Sequence, residues 1–195
     1  MTPSPDTLWR QCWDLVARGS RDKKHAFNTP CTATVTPEGW PRQRTLVLRD
    51  YDREAFTLSC WTDRRSLKVR DLDHHNVFHW CFWDPRSRIQ FTTSGPTEWL
   101  SDDRAHHLFD SLPKHSRKSY ATVQAPSSAL AEARDGLPGD WEARELAETR
   151  YAREHFGVLV TRLERAEVLR LDRQGHLRMA GTRGQGKWDL AWVVP

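Results

Sequence analysis

The side chains whose type and spacing suit chemistry fall in four places. Between Arg64 and Arg70, four cations surround one hydroxyl, Ser66. Such a run either holds an anion or is the solvated basic face of a helix. His74, His75 and His79 lie close together in sequence. No histidine pair at i,i+4 spans a glutamate in the H-E-x-x-H pattern of a zinc helix, so they read as ordinary surface or core histidines. Gly184-Gln185-Gly186-Lys187 has the flavour of a phosphate loop. That loop needs a longer spacing, a Ser or Thr after the lysine and a following helix, so this segment reads as a hairpin turn. Cys12, Cys31, Cys60 and Cys81 are scattered without a C-x-x-C pair, and they read as small apolar fillers rather than a disulfide framework or zinc knuckle.

Composition bounds the partner. Thirty Lys and Arg against 26 Asp and Glu leave a formal charge of +4, which suits an anionic ligand but is too small to argue for nucleic acid. No run approaches the ~18 apolar residues of a membrane span, and MTPSPDTLWR lacks the basic-then-apolar order of a signal peptide. A cytoplasmic protein without membrane or nucleic-acid partners is expected. Ten tryptophans require a core, a subunit interface or a stacking surface to take their flat rings. At 195 residues one domain over 1–195 is expected, with a helix and lead-in over 1–26 and a loop over 122–140.

The elements that must position these residues follow from periodicity. Leu8, Cys12, Leu15 and Val16 stand at helical spacing over 7–19, with Trp9 and Trp13 on an adjoining stripe and Gly19 as the stop. From Phe27, alternation of Cys31, Ala33 and Val35 with threonines predicts a strand that turns at Pro37-Glu38-Gly39. A return arm through Thr45 to Leu48 and a third strand, AFTLSCWT, make a predicted meander. Residues 64–73 suit a short helix starting just after Thr62. NVFHWCFWD and SRIQFTTSG pair as a further hairpin, giving a sheet of five strands. Ser101-Asp102-Asp103 caps a helix ending near Leu112. Residues 141–154 predict a charged helix, followed by four short strands: FGVLVTRLE, AEVLRLD, HLRMA and WDLAWVV. The class is α+β, mainly β: an antiparallel sheet closing toward a barrel, with peripheral helices.

In this order the segments resemble the pyridoxamine 5′-phosphate oxidase-like flavoproteins, from about residue 27 to the C-terminus. Arg44-Thr45-Leu46-Val47-Leu48-Arg49 is similar to the family's Arg-x-Val-Leu-Leu-Lys strand. Trp61-Thr62 with Ser66-Leu67-Lys68 is similar to its Tyr-Thr…Ser-Arg-Lys segment, and Arg88-Ile89-Gln90 to the strand whose glutamine faces the flavin. The resemblance implies an FMN-binding split barrel, antiparallel and Greek-key-like, that binds FMN without a covalent bond in a homodimer whose subunits both build each flavin site. It also implies oxidoreductase activity, with a flavin-binding carrier or sensor as the alternative reading. A barrel that has lost flavin for another ligand is a third, which the intact cations oppose. Arg44, Ser66 and Lys68 would hold the FMN phosphate, because a buried dianion needs fixed cations and hydroxyl or amide donors. With Ser66 and Lys68 in the first turn of the short helix, free amides and the positive dipole end would face the same phosphate. Trp61 and Thr62 belong to that cofactor set. The backbone of Thr45, Leu46, Val47 and Leu48, with Gln90, would bond the pyrimidine edge of the ring, and Gln124 and Arg178 complete the cofactor residues.

The departures concern the substrate. In the family an Arg-Pro-x-x-Ser segment, a tyrosine upstream of it and a late Arg-x-His grip the vitamin B6 phosphate and ring. Here Leu112 stands at the arginine, Leu108 at the tyrosine and Gln174 at the late arginine, while Leu169 falls near a family tryptophan. Arg49, Ser116 and His176 remain as substrate residues, and Lys114, His115 and Arg117 offer replacement charge. The resemblance therefore implies a small-molecule substrate for which an anion stays open, while the departures speak against pyridoxine 5′-phosphate.

Overall fold

The computed structural model describes residues 4–195. Helix α1 (Pro5–Arg21) opens on Ser4, whose side chain accepts from the Thr7 amide, with Pro5 in the first turn. Its apolar face carries Leu8, Trp9, Cys12, Trp13, Leu15 and Val16 into the core, two residues beyond the predicted stop at Gly19. There Trp9 meets Phe91 edge-on at 5.8 Å and Trp188 at 4.8 Å, so much of the tryptophan excess is spent inside the protein.

The strands form two antiparallel sheets. β1 (Cys31–Val35), β2 (Pro41–Thr45), β5 (Phe78–Asp84), β6 (Ile89–Gly95), β9 (Arg165–Arg170), β10 (Leu177–Gly184) and β11 (Lys187–Val193) make one of seven strands, in the order β11-β10-β9-β6-β5-β1-β2. β3 (Asp50–Asp52), β4 (Thr57–Asp63), β7 (Thr97–Trp99) and β8 (Phe156–Arg162) make the other, in the order β3-β4-β8-β7. The predicted meander is thus corrected. β2 pairs with β1 only, the chain leaves regular structure at Leu46–Arg49, and it re-enters as β3 in the second sheet. The five-strand sheet expected from these segments is likewise shared between the two.

At one corner the chain crosses between sheets twice. Between β6 and β7 it passes Gly95 and Pro96, and between β8 and β9 it passes Leu163 and Glu164. The crossings are tied by Arg162 N–H to Pro96 O (2.9 Å) and Glu164 N–H to Ser94 O (2.9 Å). The turn at Gln185-Gly186 joins β10 to β11 as a two-residue hairpin with φ of 48° and 80°, the primed geometry that twists with its strands.

Helix α2 (Leu67–His74) starts at N-cap Ser66, four residues later than predicted, because Thr62 and Asp63 still belong to β4. α3 (Asp102–Asp110) and α4 (Lys114–Arg117) follow, and residues 122–140 hold no helix or strand, as expected. The predicted charged helix over 141–154 is corrected to two 3₁₀ segments, Trp141–Ala143 and Ala147–His155. The Leu146 carbonyl accepts from the Thr149 amide (3.2 Å), the Thr149 hydroxyl (2.7 Å) and Arg117 Nη1 (3.1 Å), which draws the chain into i→i+3 winding.

Arg117 is accordingly structural. It is 4% exposed and also donates to the carbonyls of Leu112 (3.0 Å) and Asp110 (3.0 Å). Replacing it with methionine would leave three carbonyls without this donor. The expected loss is about 3 kcal/mol, since each unsatisfied buried acceptor costs roughly 1–3 kcal/mol. Urea unfolding of the two proteins at matched m-values checks this.

Candidate functional site

The site grows from β1. Thr32, Thr34 and Thr36 are the buried residues, while Cys31, Ala33 and Val35 are half-exposed. Thr34 turns inward because it has charged partners there: its hydroxyl donates to Asp71 Oδ2 of α2 at 2.7 Å and accepts from Arg44 Nη2 at 2.7 Å. Asp71, 1% exposed, also accepts from Arg42 Nε at 2.9 Å and lies 3.9 Å from Arg44 Nη2. This clamp fixes the Arg44 guanidinium and leaves its Nη1 buried without a partner among the described residues.

Next to it, half-buried Lys68 donates to Thr62 Oγ1 (2.8 Å) and Ser66 Oγ (2.9 Å). It makes no ion pair with a carboxylate of the described residues; the nearby Asp63 is held by Arg65 at 2.7 Å. Burial, and then the charge of Arg44, lower the Lys68 pKa from its ordinary value. Ser66 makes no side-chain capping bond and turns its hydroxyl to Lys68, which leaves the first amides of α2 without a side-chain cap. Two desolvated cations with unused donors, beside hydroxyls and a helix start, form a receptor for an anion with several oxygens. A phosphate monoester fits that donor set.

A cavity of about 370 Å³ opens there, lined by Thr45, Leu46, Val47, Arg49, Trp61, Thr62, Ser66 and Lys68. The structure adds Thr29, Asp63, Ser119, Tyr120 and Pro126 to its walls. The Arg49 guanidinium lies over the Trp61 ring, 3.9 Å from its centroid. Leu48 departs from expectation: its side chain is 1% exposed in the core, and its amide donates to Asn28 O at 2.8 Å. The Leu46 amide is likewise committed to Pro30 O at 3.2 Å, so of the 46–48 amides only that of Val47 is without a partner among the described residues.

The remaining expected residues lie elsewhere. Gln90 is half-buried on the outward face of the seven-stranded sheet, in a cross-strand row of Trp83, Gln90, Leu169, Arg178 and Val193. Arg178 pairs with Glu167 at 2.7 Å and keeps a buried, unpartnered Nε. Gln124 is exposed and borders a separate small cavity with Val123, Leu130 and Arg134. His176 is exposed in the turn before β10, where its Nδ1 accepts from the Asp172 amide (3.2 Å). Ser116 is half-buried in α4 and does not line the cavity. Lys114 donates to Glu142 O at 3.0 Å, and Arg117 is committed as described. Leu112, 7% exposed, packs with Phe109, Tyr120 and Phe156 in the second core cluster.

Residues 6–101 match the FMN-binding domain of pyridoxamine 5′-phosphate oxidase. A pyridoxine/pyridoxamine 5′-phosphate oxidase of Rhizobium meliloti is 34% identical over 98 residues, 49% of this chain and 47% of that protein. One of Brucella ovis is 29% identical over 104 residues, 53% and 49%. The chain spans about half the length of the curated relatives it matches. Among solved structures, an FMN-binding protein of Nostoc punctiforme related to the same oxidase superposes over the whole of both chains with a TM-score of 0.77 at 22% identity. PhzG of Burkholderia lata superposes over 100% of this chain and 94% of its own with 0.70 at 15%. Fold and matched segment together define an FMN-binding split barrel. The chain is similar to the pyridoxamine 5′-phosphate oxidase-like family, and the part that matches is that family's FMN-binding domain. Among the described residues no helix is long and apolar enough to cross a membrane.

Proposed function

We propose that the chain is an FMN-dependent oxidoreductase that works as a homodimer on a small substrate. The observation that carries the phosphate assignment is the buried, unpartnered Arg44 Nη1 beside the half-buried Lys68 ammonium, with no carboxylate of the described residues paired to Lys68. In this reading Arg44, Ser66 and Lys68 hold the phosphate, Thr62 orients Lys68, Trp61 walls the pocket and the Val47 amide faces the ring. When bound, FMN supplies one- and two-electron transfer, and the protein supplies orientation and electrostatics.

Gln90 and Arg178 stand on the outer sheet face, away from the phosphate cations, so a complete flavin site takes them from a second copy. The row that holds them presents exposed Trp83 and Val193 and half-buried Leu169, an apolar stripe suited to an interface centre. The second reading, a flavin carrier or sensor without turnover, draws support from Leu108 and Leu112, which fill space where the family grips its substrate.

The absorption spectrum of purified protein, followed by anaerobic reduction with NADPH or NADH, separates these readings. A bound flavin that is reduced and then reoxidised by an added acceptor supports the oxidoreductase, and a flavin that neither donor reduces favours the carrier. Oxidation of pyridoxine or pyridoxamine 5′-phosphate is expected to be negligible. Turnover near one per second, within the ordinary enzyme range, would overturn the discounting of Leu112 and Gln174.

A further inference from the structure

The largest cavity next to the flavin pocket holds about 790 Å³ and shares Arg49 and Trp61 with it. Its walls are apolar at Leu100, Leu108, Val158 and Val160. Its charged lining is Asp50, Asp52, Glu98 and Asp103 against Arg49 and Arg104, with His107 beside them, so carboxylates outnumber the cations. An excess of carboxylates around an apolar slot disfavours a doubly charged phosphate more than a flat, largely apolar body with one charge.

Two donors that line the flavin pocket, one of them shared with this cavity, have nothing to bind. The Arg49 side chain makes no hydrogen bond or ion pair with the described residues, and stacking on Trp61 leaves the N–H edge of its planar fork free. Tyr120 is 6% exposed and lines the flavin pocket with Arg49, yet its hydroxyl has no hydrogen-bond partner among the described residues. Its ring is held edge-on against Phe156 at 4.9 Å and Phe109 at 6.4 Å, which fixes where the hydroxyl points. Burial pushes the Tyr120 pKa up to about 12, with Arg49 acting against the rise, so the phenol is a protonated donor at neutral pH.

We infer, resting on the flavin reading above, that Arg49 and Tyr120 are a carboxylate-binding pair for a planar, apolar, singly charged substrate whose body occupies the adjoining cavity. The guanidinium supplies the charge and one or two N–H donors, and the phenol supplies the last donor. Tyr120 thus takes the place left by the apolar Leu108 and Leu112, and it narrows the substrate class from phosphates to monocarboxylates.

The test uses FMN-loaded protein and three probes, benzoate, benzamide and phenyl phosphate, read by perturbation of the flavin absorption band and by equilibrium dialysis. Benzoate is expected to bind saturably, with benzamide and phenyl phosphate each at least about tenfold weaker. Tyr120→Phe should weaken benzoate about tenfold and leave benzamide unchanged, as loss of one hydrogen bond to a charged group predicts. Arg49→Met should remove the preference for benzoate over benzamide. Equal binding of benzoate and benzamide by the unaltered protein, tighter binding of phenyl phosphate, or a charge preference that survives both substitutions would overturn the inference. A protein that takes up no FMN before any probe is added overturns the flavin reading itself, an outcome seen separately in the visible spectrum.

Discussion

Replacing Lys68 with methionine is expected to weaken FMN binding roughly ten- to a hundredfold while leaving riboflavin binding near its original value. A hydrogen bond to a charged group is worth about 1.5–3 kcal/mol, and 1.4 kcal/mol is a factor of ten. Riboflavin lacks the phosphate and has nothing to lose there. Arg44→Met should act in the same direction. The two effects should not add, because the side chains share one ligand and lie close enough for Arg44 to disfavour charge on Lys68. The pH profile carries a second signature. Below about pH 6 the phosphate loses its second charge and FMN binding should fall. At the alkaline end binding should fall again as Lys68 deprotonates, at a pH below the ordinary lysine range because burial and Arg44 lower its pKa. The same shift makes buried, charged Lys68 a cost to the ligand-free fold, present below its folded pKa and relieved as pH rises through it toward the unfolded value. Quenching of flavin fluorescence during titration at several pH values reads all of this. Equal losses for FMN and riboflavin in the Lys68 variant would remove the phosphate assignment.

The largest effect on stability is expected at Gly95. It sits where β6 leaves one sheet for the other, and a Cβ there would overlap the backbone oxygen of Arg162 and stand 2.9 Å from its carbonyl carbon. No side-chain rotation relieves a clash with backbone, and both crossings of the corner would have to move apart. Overpacking of this kind costs about 3 kcal/mol or more. For a chain of this size that is a drop in Tm of roughly 6–12 °C. Gly184→Ala, at a position where a Cβ meets nothing within 4 Å, is the matched control. A thermal midpoint unchanged by Gly95→Ala would mean that the corner is looser than drawn.

Much of the sheet was legible because its strands alternate cleanly between turn residues, as β5, β6 and the Gln185-Gly186 hairpin do. The orientation of β1 was not. A strand that alternates Cys, Ala and Val with Thr reads as apolar side inward, and only the arrival of Asp71 from α2 and Arg44 from β2 makes the threonine side the buried one. The break after Thr45 was missed for a related reason. Leu46-Val47-Leu48 has strand propensity, but the amides of Leu46 and Leu48 bond to Pro30 and Asn28 instead of to a neighbouring strand. Within the site, residues sharing short motifs came together: Thr45 to Val47, Arg49, Trp61, Thr62, Ser66 and Lys68. Gln90, Arg178, Gln124, Ser116 and His176 lie outside that cavity. Asp71 and Tyr120 belong to no motif, and only packing between distant segments reveals their place.

The crossover at Leu46–Arg49 is the only covalent step between β2 of one sheet and β3 of the other, and it is also a wall of the flavin pocket. Three of its amides are committed: those of Leu46 and Leu48 to Pro30 and Asn28 on the lead-in to β1, and that of Arg49 to Ser59 of β4. A ligand in this cavity would therefore rest against the segment that joins the two sheets. A ligand at a hundred times its dissociation constant adds about 2.7 kcal/mol to the stability of the folded protein. On the proposed reading the cofactor would act as a keystone, and without it the same arch has its span held by three backbone hydrogen bonds.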